Sequence, residues 1–534
     1  LLFVVAAFTF VTLYFVNLFP PPPGGEFAQS PNEFSRFDLV VSMAEHRSFS
    51  IDRELVEFGN HEDKSVFNGR YFSNKAPGLS FASLPVYPVW RGLAGPRGRD
   101  RSQWLFYFLR LSTVSTSVIV ALVFLSRRLE TTSRDPRVVP LIVFAVAFGS
   151  PLLVYARSFF SHAWTASLLY IAFELISRET SRGRNALVAG FLAGWAVLSE
   201  YPAAIVAGIL LADCFWRRPR SRGWLFAAGA VPCALLLAFY DWKCFGGVLE
   251  LSSRHEAFRG YTELSRRPLL GFESPSPRIA FGYLFSVSRG LLIQCPVFLL
   301  LPIAAVSRAL PRRARNVSLA AVGVFFVAMC GYENWHGGWS LSSRYLLPVL
   351  FLAAWTLPAA LPPAPKNLST GLVAVAASYS AIYFFFSGAT FWFLPPEPQN
   401  SLRFYSAFWL SRGWTTPTLL GTGWATLVVP AAVTLAALLV SVRAATGEWG
   451  KTLLAVSAGA LLFALYFLGA PPTGTFGDRL ARARIFESSS GLDPDRIEIK
   501  RLGAEARTPA EYRSWARALS GYGLEPAVPL PAGR

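Results

Sequence analysis

Charge is scarce in this chain of 534 residues: Asp, Glu, Lys and Arg together make up 15% of it, against roughly 25% in a soluble globular protein. That shortage excludes a water-solvated domain of this length. Cysteine is also sparse. Cys214, Cys233, Cys244, Cys295 and Cys330 are scattered, mostly within apolar runs and without CxxC spacing. This excludes a disulfide framework and a cysteine metal centre, and leaves them as small core residues. No Walker loop, Rossmann glycine pattern, HExxH pair or Ser-His-Asp order occurs. Their lack argues against an energy-coupled pump and against a nucleotide-sugar enzyme with a soluble catalytic domain.

What the chain does have is apolar sequence: 53% hydrophobic and 15% aromatic residues, with a mean hydropathy of +0.39. Runs of about 18 or more apolar residues recur, each long enough to cross a ~30 Å hydrocarbon core as a helix. The expected fold class is an all-α polytopic membrane protein. About thirteen spans are expected, at 1–19, 104–125, 138–156, 162–177, 185–200, 201–216, 224–241, 290–306, 317–332, 345–362, 369–388, 418–442 and 452–469. Leu1 to Phe19 runs into Pro20-Pro21-Pro22-Pro23 without a small-residue cleavage site, which favours a span over a signal peptide. The chain opens without Met, so a preceding stretch, basic in character, is expected. Segment 78–95 is apolar but interrupted by Pro85, Pro88 and Gly92. It reads as an interfacial helix lying on the membrane.

The net charge of +18 would suggest a nucleic-acid partner in a soluble protein, but short loops account for it here. The basic loops are Arg127 to Arg137, Arg178 to Arg184, Arg217 to Arg222, Arg308 to Arg315, Lys366, and Arg443 to Lys451. They hold 18 Lys/Arg against four acids, Glu130, Asp135, Glu179 and Glu448. By the positive-inside rule this set is cytoplasmic. The long loops then share the opposite, periplasmic or extracellular face: 20–103, 242–289, 333–344 and 389–417, with the tail 470–534. Counting 78–95 as a span would put the basic loops outside. The expected organisation is a first span (1–19), a first outer loop with interfacial helices (20–103), spans two to seven (104–241), a long outer loop (242–289), spans eight to thirteen (290–469), and a tail or small domain (470–534). In the tail, Thr508 before Pro509 suits a helix start. The Arg-over-Lys and Ala bias suggests a GC-rich bacterial genome.

Polar chemistry therefore gathers on one face. The first outer loop carries Asn32-Glu33-x-x-Arg36, and later Asn68-Gly69-x-Tyr71-Phe72-x-x-Lys75-x-Pro77. A carboxylate at the bilayer edge is partly desolvated, which raises its pKa and suits it to take a proton from a hydroxyl. The alternative is that these charges merely solvate a long loop. His162 opens the fourth span, either as a phosphate or metal contact or as a cap. Arg289 begins the eighth span and either holds an anion or snorkels to lipid phosphate. The stretch Tyr332 to Tyr345 clusters Glu333, Trp335, His336, Gly337, Gly338, Trp339 and Arg344 at the mouth of a span. Indole faces suit sugar stacking, glycine permits close approach, and Arg344 suits a phosphate. An interfacial aromatic belt would not require the glycines or the clustered charges.

The first-loop pattern resembles that of the GT-C glycosyltransferases, in particular the protein mannosyltransferase and lipid A aminoarabinose transferase group. There, an acidic pair after the first span precedes a Tyr-Phe-x-Lys-Pro-Pro turn and an interfacial helix. In this chain Asn32 replaces the first acid and Ala76 one turn residue, and Glu200 stands where a basic residue is common. The resemblance implies about thirteen spans, an outward-facing site, and inverting transfer of a sugar from a polyprenyl-phosphate donor. On this reading Glu33 is the expected general base, with Lys75, Arg289 and Arg344 expected toward the donor phosphate. Tyr71, Glu333, Trp335, His336 and Trp339 are expected toward sugar or acceptor. A divalent metal is an option, with no other cofactor. The partners implied are the lipid-linked sugar, membrane lipids and an acceptor glycan, lipid or protein, without nucleic acid. The expected location is a bacterial inner membrane with the site facing outward. Rival classes are a flippase or transporter of lipid-linked saccharides, and a non-catalytic membrane scaffold.

Overall fold

A computed structural model of the chain describes residues 1–16, 30–94, 99–178, 183–216, 219–257, 271–338, 340–362, 368–390, 392, 402–403 and 415–469. Helix α1 (Leu2–Tyr14) is apolar on every side, as a lipid-embedded helix is. Its Val4, Phe8 and Val11 are buried at helical spacing, and the α1 axis lies against helix Trp424–Thr446. Each of the thirteen apolar runs contains helix. Five helices are individually long and apolar enough to cross a membrane: Trp104–Thr132, Ser221–Phe245, Leu368–Ala389, Trp424–Thr446 and Trp449–Leu468. Others are shorter pieces, broken where proline intervenes, as at Pro296 and Pro348. The chain is an integral membrane protein by these helices.

Outside the spans, α2 (Pro31–Val41) starts with Pro at its first position, where no amide hydrogen is needed. Ser30 O accepts the amides of Glu33 and Phe34. Helix α3 (Asp52–Glu57) leads to a hairpin of β1 (Lys64–Phe67) and β2 (Arg70–Ser73), with Lys64 opposite Ser73 and Phe67 opposite Arg70. The two-residue turn is Asn68-Gly69, with φ of 49° and 74°. A tight hairpin turn needs positive φ at both positions, and Asn-Gly supplies them most cheaply. Segment 78–95 forms α4 (Gly78–Ser83) and α5 (Val86–Ala94). Both are far below the ~20 residues a span requires.

The next elements are α6 (Arg99–Arg110), a π-turn over Leu111–Ser115, α7 (Thr116–Thr132), α8 (Val139–Ala147) and the short α9 (Leu152–Tyr155). Then come α10 (Ser161–Ser177), α11 (Gly183–Ser199), α12 (Ala203–Trp216) and α13 (Ser221–Phe245). Helices α11 and α13 cross closely through glycine. A Cβ on Gly190 would overlap the Phe226 carbonyl, and one on Gly229 the Leu187 carbonyl. Small residues let membrane helices approach in this way. The C-terminal end of α11 also seats the first loop: Trp195 Nε1 donates to Gly78 O at 2.9 Å. Thr508, Pro509 and the rest of the tail, with most of 389–417, lie outside the described residues.

Candidate active site

The first turn of α2 points Glu33 at the link between α9 and α10. The Phe159 amide donates to Glu33 Oε1 at 2.6 Å, while Oε2 has no hydrogen-bond partner among the described residues. The side chain is only 2% exposed. Burial pushes its carboxyl up to about 7, against the opposing pull of the Phe159 amide and of Arg110 and Arg36. Arg110 sits just before the π-turn and donates to the carbonyls of Phe15, Val16 and Arg157. It thereby ties α1, α6 and the 157–160 link together behind Glu33.

One turn along α2, Arg36 joins three segments. It donates to Asn32 O at 2.9 Å, to the Asn32 side-chain oxygen and to Ser161 Oγ, and lies 3.5 Å from Glu200 Oε1. His162 Nδ1 is 3.3 Å from the same carboxylate oxygen, and Ser161 Oγ donates to it. Burial draws the Arg36 guanidinium down to about 10, with Glu200 opposing. Asn32, standing where the resemblance has an acid, thus supplies Arg36 with two acceptors.

Lys75 Nζ lies 3.0 Å from Asp63 Oδ1. Burial alone would raise the Asp63 carboxyl, but Lys75, with His61 and Asn74, together hold it below the usual range. Asn74 Nδ2 donates to both oxygens of Glu256, at 3.0 and 2.8 Å. Burial pushes Glu256 up to about 8. Ser65 pairs with Glu256 in a single β-bridge, so the hairpin meets the segment that follows α13, 246–257, at this cluster. The charges act on one another: Glu200, Arg344, Arg36 and Lys75 all bear electrostatically on His162.

Arg344 opens the 3₁₀ turn Arg344–Val349 and is 9% exposed. Its guanidinium lies over Phe160 and Tyr345, 5.2 and 5.0 Å from the ring centres, and donates to Tyr345 Oη at 3.4 Å. Among the described residues no carboxylate lies within ion-pairing distance of it, and its Nε has no partner. Gly337 makes room for it: at φ 70°, a Cβ there would meet Arg344 Nε at 2.8 Å. Arg289 is 2% exposed. Its Nη1 donates to Ser340 O and, at 2.8 Å, to Ser340 Oγ, and its Nη2 to Gly338 O at 2.9 Å.

The other expected residues make contacts of their own. Tyr71 is 37% exposed on the hairpin, with Lys64 Nζ 5.0 Å from its ring centre. Trp335 packs on Tyr283 at 5.6 Å between ring centres, His336 Nδ1 accepts the Gly338 amide, and Glu333 is exposed. Trp339 lies outside the described residues. Among the described residues no three His, Cys, Asp or Glu side chains gather as a metal-binding group. Glu200 is engaged by Arg36, His162 and Ser161, and Asp63 by Lys75. Sequence reasoning did not single out Arg110, Asn74 or Glu256. The signal for Arg110 was a lone arginine inside the apolar run 104–125, which is costly unless used.

No protein-family model matches the sequence, and no curated protein matches it. The fold does have solved counterparts. The chain shares its overall fold with ArnT. The solved structure is that of ArnT from Cupriavidus metallidurans bound to undecaprenyl phosphate. It is 14% identical, with a TM-score of 0.50 over 92% of this chain and 81% of that one. ArnT from the same organism in the apo state is 13% identical, with a TM-score of 0.49 over 91% and 78% of the two chains. The likeness is one of fold.

Proposed function

We propose that the chain transfers a sugar from a polyprenyl-phosphate donor to an acceptor hydroxyl at the outer membrane-water interface, with inversion at the anomeric carbon. The observation that carries this is the Glu33 niche: a buried carboxylate with one oxygen held by a backbone amide, the other free, and a pKa near 7. A general base works best with a pKa close to the operating pH. In the step, the acceptor O–H passes its proton to Glu33 Oε2 while its oxygen forms the new bond to C1. The C1–O bond to phosphate breaks, and the polyprenyl phosphate leaves with the bonding pair. Charge builds on the departing phosphate, and preorganised cations stabilise such charge more than mobile ones. Arg344, which has no carboxylate partner among the described residues, supplies such a cation, with Lys75 contributing from across the Asp63 pair. The bound undecaprenyl phosphate in the ArnT structure supports a lipid-phosphate partner for this fold. The direct test is transfer by Glu33→Gln in purified, folded protein; turnover near that of the unaltered chain would sink the base assignment.

A further inference from the structure

Two polar side chains, Gln294 and Tyr466, hold the backbone just before Arg289. Gln294 Nε2 donates to Ser288 O and to Tyr383 Oη, both at 2.8 Å, and Tyr466 Oη donates to Val287 O at 2.8 Å. Gln294 and Tyr383 are fully buried. With no water to substitute, such bonds hold their partners firmly.

Arg289 carries that anchoring across to the turn before Arg344, through Gly338 and Ser340. Ser343 Oγ returns the contact, 2.6 Å from Arg289 O and 3.0 Å from Tyr283 O. From the other side Tyr155 Oη donates to Leu341 O at 2.9 Å and accepts the Leu341 amide at 3.2 Å. Between these holds lies Ser342 with φ 57°, a left-handed conformation that a non-glycine residue keeps only when its surroundings impose it.

We propose that Arg289 is a positioning residue. With Gln294, Tyr383 and Tyr466 it fixes the 338–343 turn so that Arg344 meets the donor phosphate already in place, and it does not itself touch the anion. This rests on the assignment of Arg344 under the proposed function. The chemistry favours it: both terminal nitrogens of Arg289 already hold the turn, and moving them to a phosphate would release the loop that presents Arg344. Preorganising a binding group strengthens binding without adding a contact.

The test is a double-mutant cycle on the full chain in nanodiscs, titrated with undecaprenyl phosphate, alongside amide exchange across residues 340–344. Arg289→Gln is expected to speed exchange there and to weaken binding roughly tenfold. Arg344→Gln should weaken binding at least as much, and the double variant no further than Arg344→Gln alone. Losses that multiply would make Arg289 a direct ligand and overturn the proposal, as would unchanged exchange in Arg289→Gln. Should Arg289→Gln fail to fold, Arg289→Lys, which keeps the charge but not the fork, and Tyr466→Phe carry the same cycle. If the unaltered chain does not bind undecaprenyl phosphate, the proposed function falls, while the exchange arm still decides whether Arg289 holds the turn.

Discussion

The amide of Phe159 meets Glu33 Oε1 at 2.6 Å across 126 positions of sequence. One oxygen of the carboxylate is thereby fixed and the other left without a donor. A carboxylate in this state is cheaper to protonate than one in water, which has consequences for stability as well as for chemistry.

Folding raises the Glu33 pKa from 4.5 to about 7, so between those values the folded state binds the extra proton. Stability from this group is greatest below pH ~4.5 and falls as pH rises through ~7. Glu33→Gln mimics the neutral acid and should melt a few degrees higher than the unaltered protein at pH 8, with little difference at pH 5. Thermal unfolding in detergent at the two pH values checks this; a lower melting temperature for Glu33→Gln at pH 8 would contradict the burial account.

Glu200 bridges Arg36 and His162, so Glu200→Gln strips a buried cation of its partner. Breaking such a pair costs about 3 kcal/mol. A clear fall in melting temperature is expected, together with reduced transfer. An unchanged melting temperature would show that the pair is not held as described.

Arg344→Gln should leave the melting temperature nearly unchanged, because its only described hydrogen bond is a long one to Tyr345. Undecaprenyl phosphate binding should weaken by about tenfold or more. Gly337→Ala should weaken it in the same direction, since the new Cβ strains a positive φ and crowds Arg344. Lipid titration of the two variants tests both; unaltered affinity in Arg344→Gln would remove it from the site.

Gly190→Leu should destabilise more than Gly208→Leu. The first would drive a side chain into the backbone of α13, whereas Gly208 has open space around its Cβ position. Comparing the yield and melting temperature of the two isolates the helix crossing; equal effects would mean α11 and α13 do not pack through glycine.

The membrane helices were legible in the sequence because apolar runs announce themselves without reference to partners. So was the break at 78–95, from Pro85, Pro88 and Gly92. Span length was less so, because prolines such as Pro296 and Pro348 convert parts of apolar runs into 3₁₀ turns. Glu33 stood out by its spacing to Arg36, and its burial could be expected from the bilayer edge. Its contact with Phe159 could not, nor could the meeting of Arg36, His162 and Glu200. Those contacts arise where α2, α10 and α11 converge, and long-range pairing leaves no local periodicity to read. Asn68-Gly69 did carry an unused local signal, the two-residue hairpin turn that delivers Asn74 and Lys75 to the cluster. Arg289 could be read from sequence as a free cation; only the fold shows its guanidinium occupied by the Gly338 and Ser340 carbonyls.

The most direct measurement is the pH profile of sugar transfer by the purified chain, with polyprenyl-phosphate-linked sugar as donor, run beside Glu33→Gln. The account predicts a rate that rises with pH through about 7 and then levels, and a loss of roughly 10²- to 10⁴-fold in Glu33→Gln at the plateau. A flat profile through that range, with Glu33→Gln retaining normal turnover, would contradict it.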